Sequence, residues 1–155
     1  MAKVYVADDP QLGRVEYRDR KRAWWLLSVV YPLLPFTGMA LHAYTGAQIA
    51  LGLPLLISYG LMPLLDYLLG EDENNPPEAV VPQLEQDRYY RWLTWATVPL
   101  HFVALIGCAA WVGTHDLSWW AVLMLAYIAG TDSGLGINTG HELGHKYTRT
   151  EQWLA

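Results

Sequence analysis

Between Ala23 and Leu65 the chain carries no Asp, Glu, Lys or Arg. A second charge-free stretch runs from Trp92 to His115, and a third, Leu117 to Gly140, is broken only by Asp132. Each is long enough to cross a hydrocarbon layer, which takes about 20 apolar residues per helix. The missing charge excludes an ordinary soluble domain and predicts an integral membrane protein. Cysteine is nearly absent too: Cys108 stands alone in an apolar stretch. That excludes a disulfide framework and leaves the redox compartment open. A cleaved signal peptide does not fit, because the first apolar run follows about twenty mostly polar residues and is too long for a signal core. No internal repeat or low-complexity tract is visible. Histidine is scarce, with five in 155 residues, while tryptophan (eight) and tyrosine (ten) are plentiful.

What is present predicts an all-α integral membrane fold with four transmembrane helices. The first window is too long for one crossing, and AYTGAQ, Ala43 to Gln48, offers the turn-forming residues that break it. The helices are read as residues 23–42, 47–69, 90–113 and 117–140, the last continuing into HELGHK. Pro32, Pro35, Pro54, Pro63 and Pro99 fall inside these spans, which membrane helices tolerate when neighbours satisfy the freed backbone groups. Trp24, Trp25, Trp92, Trp111, Trp119 and Trp120 sit towards span ends, as an interfacial belt requires. All ten Lys and Arg residues fall before the first helix, between the second and third, or after the fourth. The positive-inside rule makes that side cytoplasmic, with residues 1–22 as a cytoplasmic segment and HELGHK at the same face.

The chemistry-bearing motif is INTGHELGHKYTR, Ile137 to Arg149. His141 and His145 are four apart, so on a helix they share a face and can reach one ion. At 100° per residue, Asn138, Gly134, Gly130 and Tyr127 fall near that face. Such a strip of mainly small residues lets helices pack closely, and it also leaves room for a substrate beneath a metal. Three readings of HELGH stand side by side: a polar cap at the interface, a zinc site with Glu142 as general base, and part of a larger iron site. HExxH is too short to choose among them.

The histidine box with its preceding INTG, together with DYLLGEDENNPPEAVVPQLEQDRYYRWLTWATVPLH from Asp66 to His101, resembles the membrane-bound alkane monooxygenases. These are bacterial non-haem di-iron hydroxylases of the integral-membrane desaturase and hydroxylase superfamily. The resemblance runs from about Lys21 to Lys146. It implies that residues 23–155 are the N-terminal part of a longer, six-helix enzyme of the inner membrane, with further histidine boxes after the first. It also implies oxidation of the terminal carbon of medium-chain alkanes by O2, with electrons from rubredoxin and its NAD(P)H-dependent reductase. By position, His141 and His145 match ligand histidines of the first box. Glu142 and Lys146 match its other polar members and are expected to support the ligands through a hydrogen bond or salt bridge. Asp66 and Asn138 are further candidates for such support.

The chain departs from the pattern in having none of the later boxes, so it reads as a portion ending just past the first and is expected to be inactive alone. The nearest variant is a fatty-acyl hydroxylase or desaturase. An intramembrane zinc metalloprotease and a non-catalytic membrane fragment also fit the motif. Within the spans, His101 serves either as a hydrogen-bonded structural residue or, with Tyr127, Gly130 and Gly134, as lining of a substrate channel. Asp132, nine residues before His141, lies about 180° around the helix from it. A carboxylate there needs a partner, and another helix should supply it.

Overall fold

A computed structural model describes residues 2–70, 75–146 and 148–155. Part of the acidic loop, residues 71–74, lies outside the described residues, as does Tyr147. Among the described residues, four helices are long and apolar enough to cross a membrane: α1 (Leu26–Thr45), α2 (Gln48–Leu69), α4 (Arg88–Thr114) and α5 (Trp119–Gly144). Short helices α3 (Val81–Gln86) and α6 (Arg149–Leu154) flank the second connection and follow the histidine box. The chain is a multi-pass membrane protein, as its charge-free windows predict.

The helix boundaries follow local chemistry. α1 ends where Gly46 adopts φ 70° and donates its N–H to the His42 carbonyl at 2.8 Å, a left-handed cap that suits glycine. Thus AYTGAQ is the break. α2 is irregular: it enters through a 3-10 turn and loosens to a π turn over Ile57–Leu61. Pro54 and Pro63 each lack the N–H that an α-helix needs and sit in the first turn of the α-helical pieces that follow. α4 starts at Asp87, whose side chain accepts the N–H of Tyr89 at 2.9 Å. α5 runs unbroken through HELG. Its 26 residues span about 39 Å against a hydrocarbon core of about 30 Å, so its last turns emerge at the interface.

The buried core sits among α1, α2, α4 and α5, where Met39, Leu51, Cys108, Ala121, Leu125 and Ala129 meet. Close approach needs glycine: a Cβ on Gly38 would lie 2.8 Å from the Leu51 carbonyl oxygen. Gln48 joins the entry of α2 to that of α5, accepting from the N–H and hydroxyl of Ser118 at 2.9 and 2.6 Å.

Residues 3–19, read from the sequence simply as a polar segment, form an antiparallel hairpin, β1 (Lys3–Asp9) with β2 (Gly13–Asp19). The all-α description therefore holds for the membrane part and not for this end. Asp9 accepts the N–H groups of Gln11 and Leu12 at 2.8 and 3.0 Å, and Gly13 supplies φ 71°. A lone two-stranded hairpin is marginal in water. This one is anchored by Tyr5 and Asp19, both buried. Tyr5 donates to Asp87, and the Tyr90 hydroxyl donates to Asp19. The hairpin, the α3–α4 connection and the C-terminal helix thereby gather at one end of the bundle.

Candidate metal and substrate site

At that end, α5 presents His141 and His145 with their Nε2 atoms 3.2 Å apart and their rings edge-on at 4.7 Å. Two nitrogens bound to one ion at roughly 2.1 Å, about 90–110° apart, would be separated by roughly 3.0–3.4 Å. The pair therefore fits a shared metal ion. Among the described residues no group of three His, Cys, Asp or Glu side chains converges, so the pair is a partial ligand set.

Beneath the pair lies a cleft of about 960 Å³ between α4 and α5. Its α4 wall carries Val98, His101, Phe102 and Leu105. Its α5 wall carries Ser133, Gly136, Ile137 and Gly140, and Trp153 to Ala155 close the upper edge. The walls are mainly apolar. His101 lines the cleft, and its Nδ1 lies 3.1 Å from an Asp132 carboxylate oxygen. Both side chains are buried. The partner expected for Asp132 on another helix is thus His101. Gly136 makes room for the ring, since a Cβ there would stand 3.0 Å from His101 Cγ.

Tyr127, Gly130, Gly134 and Asn138 are exposed and lie outside this cleft. The wall that meets α4 is the neighbouring stripe, Ser133–Gly136–Ile137–Gly140, while Tyr127 packs against Tyr59, with ring centroids 6.5 Å apart. Glu142 is exposed beside the pair. Lys146 donates to Glu85 on α3 at 2.9 Å, and that bond raises its pKa. Asp66 is exposed near the end of α2 and lines neither the cleft nor the cavity described next.

Sequence reasoning missed a charged cluster behind the site. Arg91 donates to Glu151 at 2.9 Å, tying α4 to α6, and the Thr148 hydroxyl donates to the same carboxylate while accepting the Glu151 backbone N–H that caps α6. Burial pushes Glu151 up, but the Thr148 and Arg91 hydrogen bonds bring it below its ordinary value. A second cavity of about 450 Å³ lies here, lined by Trp25, Tyr90, Arg91, Lys146 and Glu151 among others. The Arg91–Glu151 contact joins residues 60 apart, and no local pattern marks it.

Fold and site together define a class: a multi-pass helical membrane protein whose paired histidines stand over an apolar cleft. Its relatives are more particular. Over 140 residues, 90% of its length, the chain is 52% identical to the alkane 1-monooxygenase of Ectopseudomonas oleovorans and 51% identical to that of Pseudomonas putida. It is 30% identical over 141 residues to the alkane 1-monooxygenase of Acinetobacter baylyi. The resemblance read from the histidine box and its preceding loop is borne out, and the chain is homologous to a portion of these enzymes. It spans about a third of the length of the curated relatives it matches, 35%, 35% and 34% in these three cases. No protein-family model matches the chain.

Proposed function

We propose that this chain is the N-terminal part of a membrane-bound di-iron alkane hydroxylase that oxidises the terminal carbon of medium-chain alkanes to primary alcohols. The observation that carries the proposal is the pair His141–His145, 3.2 Å apart over an apolar cleft, in a chain 52% identical to alkane 1-monooxygenases. When bound, iron supplies the activation of O2 that an unactivated C–H bond requires and that side chains alone do not offer. His141 and His145 would hold one metal ion through their Nε2 atoms. Val98, Phe102, Leu105 and Ile137 receive the alkyl chain and keep water from it. Glu142 and Lys146 support the box electrostatically, with Lys146 steadied by Glu85; Asn138 and Asp66 face outward, towards segments beyond these residues. Gly130 and Gly134 leave open space on the outer side of α5, room for a further helix of a six-helix bundle or for part of the substrate path with Tyr127.

In this reading the histidine end lies at the cytoplasmic face of a bacterial inner membrane, which the clustering of Lys and Arg at that end supports. There a soluble donor, rubredoxin reduced by rubredoxin reductase, can deliver electrons. Two imidazoles do not complete a di-iron centre, so the remaining ligands come from outside these residues, and the chain by itself is expected to be inactive and to retain little metal. The test is metal and product analysis of the full-length enzyme carrying this chain. Two irons per polypeptide and 1-octanol from octane are expected. One zinc per polypeptide, with peptidase activity abolished by Glu142→Gln, would overturn the assignment in favour of a protease.

A further inference from the structure

An alkane needs no polar partner, yet the α4 wall of the cleft carries His101. His101 is buried within the α4 wall, and its Nδ1 is committed to Asp132. Its Nε2 makes no hydrogen bond among the described residues, and the residue lines the cleft. Gly136, five residues and about 7.5 Å along α5 before His141, leaves the space in which the ring sits. Pairing with Asp132 accounts for one ring nitrogen, and the other has no partner among the described residues in a side chain that lines the cleft.

We infer that the His101–Asp132 pair is a binding station for the hydroxyl group of a long-chain primary alcohol. The inference rests on the proposed function, in which such an alcohol forms in the same cleft. A hydroxyl both donates and accepts, so it suits His101 Nε2 whichever ring nitrogen carries the proton. A carboxylate accepts only, so it suits His101 Nε2 only when that nitrogen carries the proton. An alkane offers neither interaction. The station therefore distinguishes alcohol from alkane, and it draws the new hydroxyl deeper along the cleft, away from His141 and His145.

The experiment uses the metal-loaded full-length enzyme in lipid nanodiscs and measures retention of radiolabelled 1-decanol, decane and decanoate, corrected for empty nanodiscs. His101→Asn keeps an amide nitrogen near the Nδ1 position, preserving the link to Asp132, and removes the group at Nε2. His101→Gln reaches the Nε2 position and gives up the Asp132 link. The Asn variant should weaken 1-decanol about 10-fold, the scale of one lost hydrogen bond, with decane changed less than about 2-fold. The Gln variant should keep 1-decanol within about 3-fold. A purely structural pair gives the opposite order, with Asn benign and Gln damaging, and that result overturns the inference. So does wild-type retention of decanoate above 1-decanol. Should the enzyme fail to oxidise alkanes at all, the functional reading fails; should it oxidise decane while His101→Asn leaves the alcohol-to-alkane ratio unchanged, only the station fails.

Discussion

At Asp87 a single carboxylate receives Lys3, Tyr5, Arg22 and the backbone N–H of Tyr89. It caps α4 and pins the hairpin with the same two oxygens. The Arg22 hydrogen bonds hold Asp87 well below the usual carboxylate range, outweighing the opposing effect of burial. Burial, then Asp87, pushes the Tyr5 phenol up to about 12. Because the folded Asp87 value lies below the unfolded one, about 3.9, its contribution is fully present above roughly pH 4 and is lost as pH falls further. Hairpin docking should accordingly be flat from pH 5 to 8, measured as hydrogen exchange of β1 and β2. Asp87→Asn should speed that exchange at neutral pH and cost about 2 kcal/mol, from the weakened cap and the loss of charge-assisted bonds. An Asn variant with wild-type hairpin protection would show that the cluster does not anchor the strands. Glu85→Ala is the contrast: its bond to Lys146 is exposed, and its loss should change the thermal midpoint by less than about 1 kcal/mol equivalent.

Between elements, the distances that matter are set where glycine replaces a side chain. Gly38 faces the Leu51 backbone, which has no rotamer with which to yield. Gly38→Ala should part α1 from α2 and destabilise the bundle by about 1–3 kcal/mol, as overpacking does. Gly113→Ala, on α4 with nothing within 4 Å of the added carbon, should be neutral or slightly stabilising, since alanine is the better helix former by about 1 kcal/mol. Paired thermal unfolding in detergent checks both, and equal losses would contradict the packing. The same elements show what a sequence can and cannot announce. The missing charges outlined all four spans, and Gly46 marked their first break, because desolvation and left-handed backbone are local costs. The His141–His145 face was legible from spacing alone. The stripe that walls the cleft was not: Ser133, Gly136, Ile137 and Gly140 are chosen by which side of α5 meets α4, a tertiary fact. The hairpin was hidden for a related reason. Val4 and Val6 remain exposed while Tyr5 is buried against Asp87, so its alternation is too short and too polar to stand out.

Across the whole molecule, the crossings and the charges agree on one arrangement. Lys3 and Arg22 meet Asp87, Arg91 meets Glu151, and Lys146 meets Glu85, so all three basic segments converge at one end. At the opposite end Gln48, Asp116 and Ser118 close the short loops, where no Lys or Arg lies. An even number of spans returns the histidine box to the side of the N-terminus, and the excess of Lys and Arg there predicts, by the positive-inside rule, a cytoplasmic location for that side. A cysteine at Asp116 should react with a membrane-impermeant maleimide from outside intact spheroplasts, and one at Gln11 only after lysis. Native Cys108 is buried and contributes little background. Reversal of the two patterns would turn the bundle over and place the paired histidines out of reach of any cytoplasmic electron donor. Labelling of both positions from the same side would instead require an even number of crossings between them where the four-span arrangement has three, and that architecture itself would have to be abandoned.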